Sequence, residues 1–218
     1  MAQRLEGTTG VDLLAERRGA HVLGLGHRFV VGLGATALLV MLAACSTPTG
    51  GGPSAFTPIA STFDTDTEGW TSSEPLDPSW AAPGYLSLVD DGPSWYYAIA
   101  PGRFHGDWTG ASSVSFDVLA DPDGVLFPVR VVVSGAGAAL YHEFPLSALE
   151  AGAWRALSVP LTVGAWRAFA GEEVEGDVVD AETFAAVVAS VDDFRIRVDL
   201  NSKFEGDEFN GLDDVVVE

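Results

Sequence analysis

Hydrophobic and polar residues alternate along much of this chain after residue 62, with a period of two rather than 3.6. In the segment 194–200 the large apolar residues are Phe194, Ile196, Val198 and Leu200. Side chains point alternately to the two faces of a strand, so we expect these four in the core. The residues between them, expected to face solvent, are Arg195, Arg197 and Asp199. The same alternation predicts strands at 85–89, 94–100, 114–119, 127–133, 140–144, 154–159, 194–200 and 212–217.

One segment departs from this period. Residues 180–190 carry apolar side chains at helical spacing after an aspartate, which predicts a short helix with Asp180 as its N-cap. We expect Phe184, Val187 and Val188 to pack on the strands. Clusters of Pro, Gly and Asp separate the strands at a spacing typical of an all-β sandwich or barrel.

The amino-terminal segment has the pattern of a bacterial export signal. Residues 29–44 form an uncharged run of 16 apolar or small residues, preceded by Arg17, Arg18 and Arg28. A membrane-spanning helix needs about 20 such residues, so the run suits a signal peptide better. Residues 42–45, Leu-Ala-Ala-Cys, resemble the lipobox, which implies a diacylglyceryl group on Cys45. The alternative is a short buried helix with an incidental cysteine.

These features predict three parts: a lipoprotein signal peptide at 1–44, a flexible tether at 45–61 and one domain at 62–218. The tether is uncharged and rich in Gly, Pro and hydroxyl residues, which favours a flexible linker. The protein is expected to be exported and anchored to the cell membrane or outer membrane, with its domain facing the periplasm or the exterior.

The charge of the chain limits its partners. The 218 residues include 11 basic and 31 acidic ones, a net charge of −20. Residues 1–44 hold four of the basic and three of the acidic residues, which leaves 7 against 28, a net charge of −21, beyond the predicted signal. Nucleic-acid binding requires clustered Lys and Arg to neutralise phosphates, so we exclude it. With a single Cys and four His, the chain also has no internal disulfide framework and no zinc finger.

One stretch after the tether resembles the laminin domain IV (laminin B) module. That family has an aromatic strand, an Ala-Pro step, a Phe-x-Gly-Asp turn and an alternating strand. The matching residues are Trp95, Ala100, Pro101, Phe104, Gly106, Asp107 and Phe116. The resemblance implies an antiparallel, galactose-binding-like jelly roll and a noncatalytic extracellular module. In this motif we expect Phe104 to be a buried core residue.

Acidic residues lie at both ends of the domain, namely Asp64, Asp66, Asp213 and Asp214. First and last strands are often neighbours in a jelly roll, and related binding modules carry a structural calcium there. Oxygen ligands suit Ca²⁺, so we expect a structural Ca²⁺ site at these residues. The alternative is a solvated acidic edge that discourages strand addition.

Two tryptophans in loop-like contexts, Trp80 and Trp108, are candidates for exposed rings that stack on sugars. The alternative for any of the aromatic residues is core packing. The acidic insertion 164–179 is either a variable recognition surface or a solvated loop.

Function is predicted from these features together. The sequence contains no Gly-x-Ser-x-Gly, His-Glu-x-x-His or phosphate-loop motif, so no catalytic residue is assigned. We expect a lipid-anchored cell-surface binding or adhesion module for glycans or extracellular polymers. The alternative is a glycosidase-like enzyme of the cell envelope.

Overall fold

A computed structural model of the protein describes residues 55–218 except 75, 91–94, 173 and 202–207. The predicted signal peptide, Cys45 and residues 46–54 lie outside the described residues. The strands are β1 Ile59–Ser61, β2 Thr71–Ser72, β3 Ser79–Ala81, β4 Tyr85–Asp90, β5 Tyr97–Ile99, β6 Ser113–Leu119, β7 Arg130–Gly135, β8 Ala138–Glu143, β9 Trp154–Pro160, β10 Arg167–Ala168, β11 Val191–Arg197 and β12 Glu208–Val217. Among these residues there is one α-helix, α1 Ala181–Val188, and short 3₁₀ turns at Gly102–Phe104, Leu146–Ala148 and Val163–Ala165.

The strands form two antiparallel sheets. The first sheet has the order β3-β4-β12-β6-β9, with β1 also paired to β12. The second sheet has the order β10-β8-β7-β11-β5-β2. The predicted all-β antiparallel sandwich with one short helix is therefore confirmed for the described residues.

The core contains the residues that the alternation of apolar and polar positions predicts to be buried. Phe194, Ile196, Val198 and Leu200 are all fully buried, as predicted. Phe104 is also fully buried, with ring centroids 5.5 Å from Trp70 and 5.6 Å from Phe194. The laminin-like turn therefore places its phenylalanine in the core.

Helix α1 begins where the sequence predicts. The Asp180 side chain accepts a hydrogen bond of 2.7 Å from the Thr183 N–H, which caps the helix. Val187 and Val188 are buried against the sheet. The end of the helix approaches β7 so closely that a Cβ on Gly135 would lie 2.4 Å from the Ser190 carbonyl oxygen. Within the described part of the chain, no helix has the length and apolar character needed to cross a membrane.

The domain begins earlier than predicted. Residues 59–61, assigned to the flexible tether, form β1, where Ile59 pairs with Val217 on β12. Phe56 also packs against the core. The predicted tether boundary at residue 61 is therefore wrong, because β12 offers a free edge that residues 59–61 pair with. Composition cannot reveal such a partner.

Candidate functional site

The two tryptophans predicted to bind a ligand have different surroundings. Trp108 is fully buried, its ring lies 5.3 Å from that of Phe194, and its Nε1 donates to the Phe104 carbonyl at 2.8 Å. The prediction for Trp108 is wrong, because the loop folds back and its backbone N–H binds the Val188 carbonyl at 2.8 Å. Trp80 is 40% exposed, and its ligand role stays a prediction.

The acidic residues from the two ends of the domain lie in one region of the structure. Burial is the largest cause that raises the pKa of Asp213 to about 6, and Asp214, Asp117 and Asp64 raise it further. The predicted ligands Asp64, Asp213 and Asp214 are thus close enough to interact.

Their present side-chain positions do not form a metal cage. Asp66 accepts the Glu68 N–H at 2.6 Å, and Asp64 accepts the Thr62 hydroxyl at 2.8 Å. No group of three carboxylate, histidine or cysteine side chains among the described residues is placed to hold a metal ion. Calcium therefore stays a prediction, and binding it would require these side chains to reorient.

The outward side of the second sheet carries an unexpected group of cations. Arg130 on β7 and Arg197 on β11 are directly opposite each other, and Tyr97 on β5 is opposite Arg197. Arg195 lies two residues before Arg197 on β11, and its side chain is therefore on the same side of the sheet. We call Arg130, Arg195, Arg197 and Tyr97 the arginine face.

Each guanidinium of the arginine face lies over an aromatic ring. The distances from the guanidinium carbon to the ring centroid are 4.6 Å for Arg130 over Tyr141, 4.8 Å for Arg195 over Tyr97 and 4.5 Å for Arg197 over Trp95. Cation–π contacts of this kind stabilise by about 0.5–2 kcal/mol, more when water is excluded. The aromatic side chains thus hold the three arginines in fixed positions.

A segment of the acidic insertion covers this face. Phe169 packs against Tyr97 and Tyr141, and the Gly176 N–H donates to the Tyr141 hydroxyl at 3.1 Å. Between them, the Glu172 carboxylate accepts a hydrogen bond from the Tyr97 hydroxyl. Its Oε2 lies 3.4 Å from a nitrogen of both Arg130 and Arg197. We call residues 169–178, of which 173 is not described, the covering segment.

This arrangement shifts the pKa values of Arg197 and Tyr97. Burial lowers the pKa of Arg197, and the nearby Arg130 lowers it further, while Glu172 acts in the opposite direction. Burial also raises the pKa of Tyr97, and the hydrogen bond to Glu172 adds to this rise. Glu172 is therefore the carboxylate that balances two adjacent cations in a place where water has little access.

The predicted exposure of the three polar residues in the segment 194–200 is wrong in two cases. Arg197 is only 2% exposed and Asp199 is 8% exposed, while Arg195 is half-buried. Arg195 and Arg197 do point away from the core, as the alternation requires, since their guanidinium groups lie over the rings of Tyr97 and Trp95. The prediction failed for Arg197 because the covering segment lies over that side of the sheet. The sequence analysis missed this pairing, and the signal that could have indicated it is an Arg-x-Arg strand in a chain with few cations, together with a Glu-rich insertion.

A cleft opens beside the arginine face. It has a volume of about 460 Å³, and its lining includes Arg130, Tyr141, His142, Glu143, Arg167 and Glu172. The His142 Nδ1–H donates to the Ala165 carbonyl at 2.7 Å, which fixes the imidazole. The Arg130 guanidinium donates to Glu143 at 2.6 Å. The cleft therefore presents positioned hydrogen-bond donors and acceptors on a rigid sheet.

The similarity of this protein to known proteins lies in its structure and not in its sequence. No protein-family model matches the sequence, and no curated protein sequence matches it. The L4b domain of human laminin alpha-2 superposes with a TM-score of 0.59 at 9% identity, covering 73% of this chain and 96% of that domain. The family 11 carbohydrate-binding module from Clostridium thermocellum, in complex with a β-1,3-1,4-mixed-linked tetrasaccharide, gives a TM-score of 0.48 at 14% identity, covering 75% of this chain and 96% of that one. The lectin II from Ulex europaeus gives 0.45 at 9% identity, covering 75% and 99%.

The laminin similarity agrees with the resemblance carried by the Trp95–Phe116 motif. At 9% identity it establishes the fold alone. The described domain therefore has the same β-sandwich fold as the laminin alpha-2 L4b domain.

Proposed function

We propose that this protein is a lipid-anchored, noncatalytic cell-surface module that binds glycans or extracellular polymers, with the cleft beside the arginine face as its binding site. The cleft is the observation that carries the proposal. Its volume of about 460 Å³ lies in the range of about 300–1,000 Å³ that is common for small-ligand sites. Its guanidinium and carboxylate groups suit the paired hydroxyls of a sugar, since they offer donors and acceptors side by side.

The resemblance to laminin domain IV supports the same proposal, because that family implies a noncatalytic extracellular module. In this proposal Cys45 carries the lipid that attaches the protein to the cell membrane or outer membrane. The domain then lies in the periplasm or outside the cell, where polysaccharides are available.

A glycan array with two arginine variants tests the cleft. Arg167 lines it and its side chain is 47% exposed, while Arg155 on the first sheet is similarly exposed at 44%. We expect Arg167→Ala to weaken binding of the glycans that the parent protein retains by about tenfold, or 1.4 kcal/mol. Arg155→Ala removes the same charge and is expected to leave binding unchanged. Equal losses in both variants, or no retained glycan, would contradict the proposal.

A glycosidase-like enzyme is the competing function. Such enzymes place one carboxylic acid and one carboxylate on either side of the bond that they cleave. In the cleft, Glu143 and Glu172 both form ion pairs with Arg130 instead. Hydrolysis assays on the glycans retained by the array distinguish the two functions, and release of reducing ends would favour the enzyme.

A further inference from the structure

The few cations of the exported part are concentrated on one sheet. Seven basic residues follow Cys45 in the sequence, and four of them lie on the second sheet, namely Arg130, Arg167, Arg195 and Arg197. The same part of the chain has a net charge of −21, as counted above. A protein of this charge repels anions in general, so a local group of arginines creates one place where an anion is favoured.

The geometry of the arginine face requires an anion. Arg130 and Arg197 are opposite each other on adjacent strands, and like charges in this position destabilise a sheet. Both side chains are largely buried, with exposed fractions of 8% and 2%. Burying two cations side by side is costly unless a carboxylate with good hydrogen bonds lies between them.

Glu172 is the carboxylate that lies near both arginines, and its fit is imperfect, while Arg130 is also paired with Glu143 at 2.6 Å. The distances of 3.4 Å from Glu172 to Arg130 and Arg197 exceed the usual 2.7–3.2 Å of an N–H···O hydrogen bond. Among the described residues, the buried Nε of Arg197 has no hydrogen-bond partner. The face therefore has more capacity to donate hydrogen bonds than Glu172 uses.

The Glu172 carboxylate is also within reach of a ligand. Its side chain is 20% exposed, and both Glu172 and Arg130 line the cleft. Because it belongs to a loop between β10 and α1, its side chain can move without disturbing a strand.

We infer that Arg130, Arg197 and Tyr97 form a carboxylate-binding site, which Glu172 occupies and from which the carboxylate of a uronic-acid polysaccharide displaces it. This inference rests on the proposed glycan-binding function and names the class of glycan. A carboxylate is favoured because the site already holds one, with Tyr97 bound to one oxygen and both arginines near the other. The neighbouring cleft accommodates the sugar ring that carries it.

Titration calorimetry with an oligogalacturonate tests the inference. A neutral cello-oligosaccharide of equal length is the control ligand. Glu172→Gln keeps the shape of the side chain and removes the competing charge, so we expect the oligogalacturonate to bind about tenfold tighter than to the parent protein. Glu182→Gln makes the same charge change at an exposed position on α1 that does not line the cleft, and is expected to change affinity less than about twofold. Adding Arg130→Gln to Glu172→Gln should abolish the gain.

Each contrary result has a separate meaning. If Glu172→Gln lowers the melting temperature without tighter uronate binding, Glu172 is only a structural ion-pair partner and the inference is overturned. The inference is also overturned if the two Glu→Gln variants gain the same affinity for the oligogalacturonate. It is overturned too if Glu172→Gln binds a tetraglutamate peptide and not the oligogalacturonate. If the array retains neutral glycans and this test fails, the proposed function stands without the uronate site. If no glycan of any kind is retained, the proposed function itself fails.

Discussion

Asp213 on β12 lies directly opposite Asp117 on β6 in the first sheet. Two carboxylates in this position repel each other, and a register shift in β12 follows immediately. Burial, the largest cause, raises the pKa of Asp213 to about 6, and it also raises the pKa of Asp117. Between pH 4 and 6 the native state therefore keeps a proton that the unfolded chain has released.

This relationship predicts how stability depends on pH. Because the pKa of Asp213 is higher in the folded than in the unfolded state, its ionisation lowers the free energy of unfolding as the pH rises from about 4 to 6. Asp213→Asn should raise stability at pH 8 by about 1 kcal/mol, a value reduced to allow for solvent screening of a partly exposed group. At pH 3.5 the gain should vanish. Urea denaturation at both pH values measures it.

The control for this variant is Asp77→Asn, an exposed position with the same change in net charge. A similar gain from Asp77→Asn would mean that the excess negative charge of the whole domain is the cause, rather than the burial of Asp213 and its repulsion by neighbouring carboxylates. A loss of stability at pH 8 in Asp213→Asn would show that the hydrogen bond from the Asp214 N–H to Asp213 outweighs the repulsion.

Local patterns were sufficient for much of the fold. The alternation in 194–200 identified four core residues, and the aspartate before an apolar helical pattern located α1 and its cap at Asp180. Both depend on neighbours in sequence, which is the information that a pattern contains. The strand at Ile59–Ser61 was missed because it exists only through its pairing with β12.

The candidate site was predictable only in part. Alternation shows which side of a strand Arg197 occupies, but not that Glu172, 25 residues earlier, lies over that side. Loop context suggested an exposed ring at Trp108, yet hydrogen bonds with Val188 and Phe104 hold it in the core. In both cases a long-range contact decided the exposure.

The laminin-like turn gives a prediction about stability. Phe104 is fully buried between aromatic rings, so Phe104→Ala should lower the free energy of unfolding by about 3–5 kcal/mol through lost burial and the cavity that remains. Leu146→Ala, at a side chain that is 46% exposed, is the control and should cost less than about 1 kcal/mol. A shift below about 1 kcal/mol for Phe104→Ala would show that the cavity collapses and that the ring is not a core support.

The proposed lipid anchor depends on one thiol. Cys45 is the only cysteine in the chain, so Cys45→Ala leaves no site for the diacylglyceryl group. We expect metabolic labelling with a palmitate analogue to mark the parent protein and not the variant. We also expect the variant to move from the membrane to the soluble fraction, since stable attachment needs two or more acyl chains. Labelling of Cys45→Ala at the parent level would contradict the lipoprotein assignment.

The remaining prediction is a structural Ca²⁺ site at the acidic residues around Asp213. Asp64, Asp117 and Asp214 all act on or near Asp213, and a bound cation would relieve the repulsion among them. A ligand that binds only the native state stabilises it by about 2.7 kcal/mol at a hundredfold excess over Kd. We therefore expect Ca²⁺ to raise the melting temperature of the parent protein.

Screening of the negative domain by any salt also raises the melting temperature, so Mg²⁺ at equal ionic strength is the control. Mg²⁺ requires a tight octahedral shell and retains its waters, and it should substitute poorly for Ca²⁺ at a site of flexible carboxylates. The double variant Asp64→Asn with Asp214→Asn should lose the part of the shift that is specific to Ca²⁺ and keep the part that both ions share. Equal shifts from the two ions in the parent protein would mean that the acidic residues at the two ends of the domain form a solvated edge, as the alternative interpretation of the sequence holds.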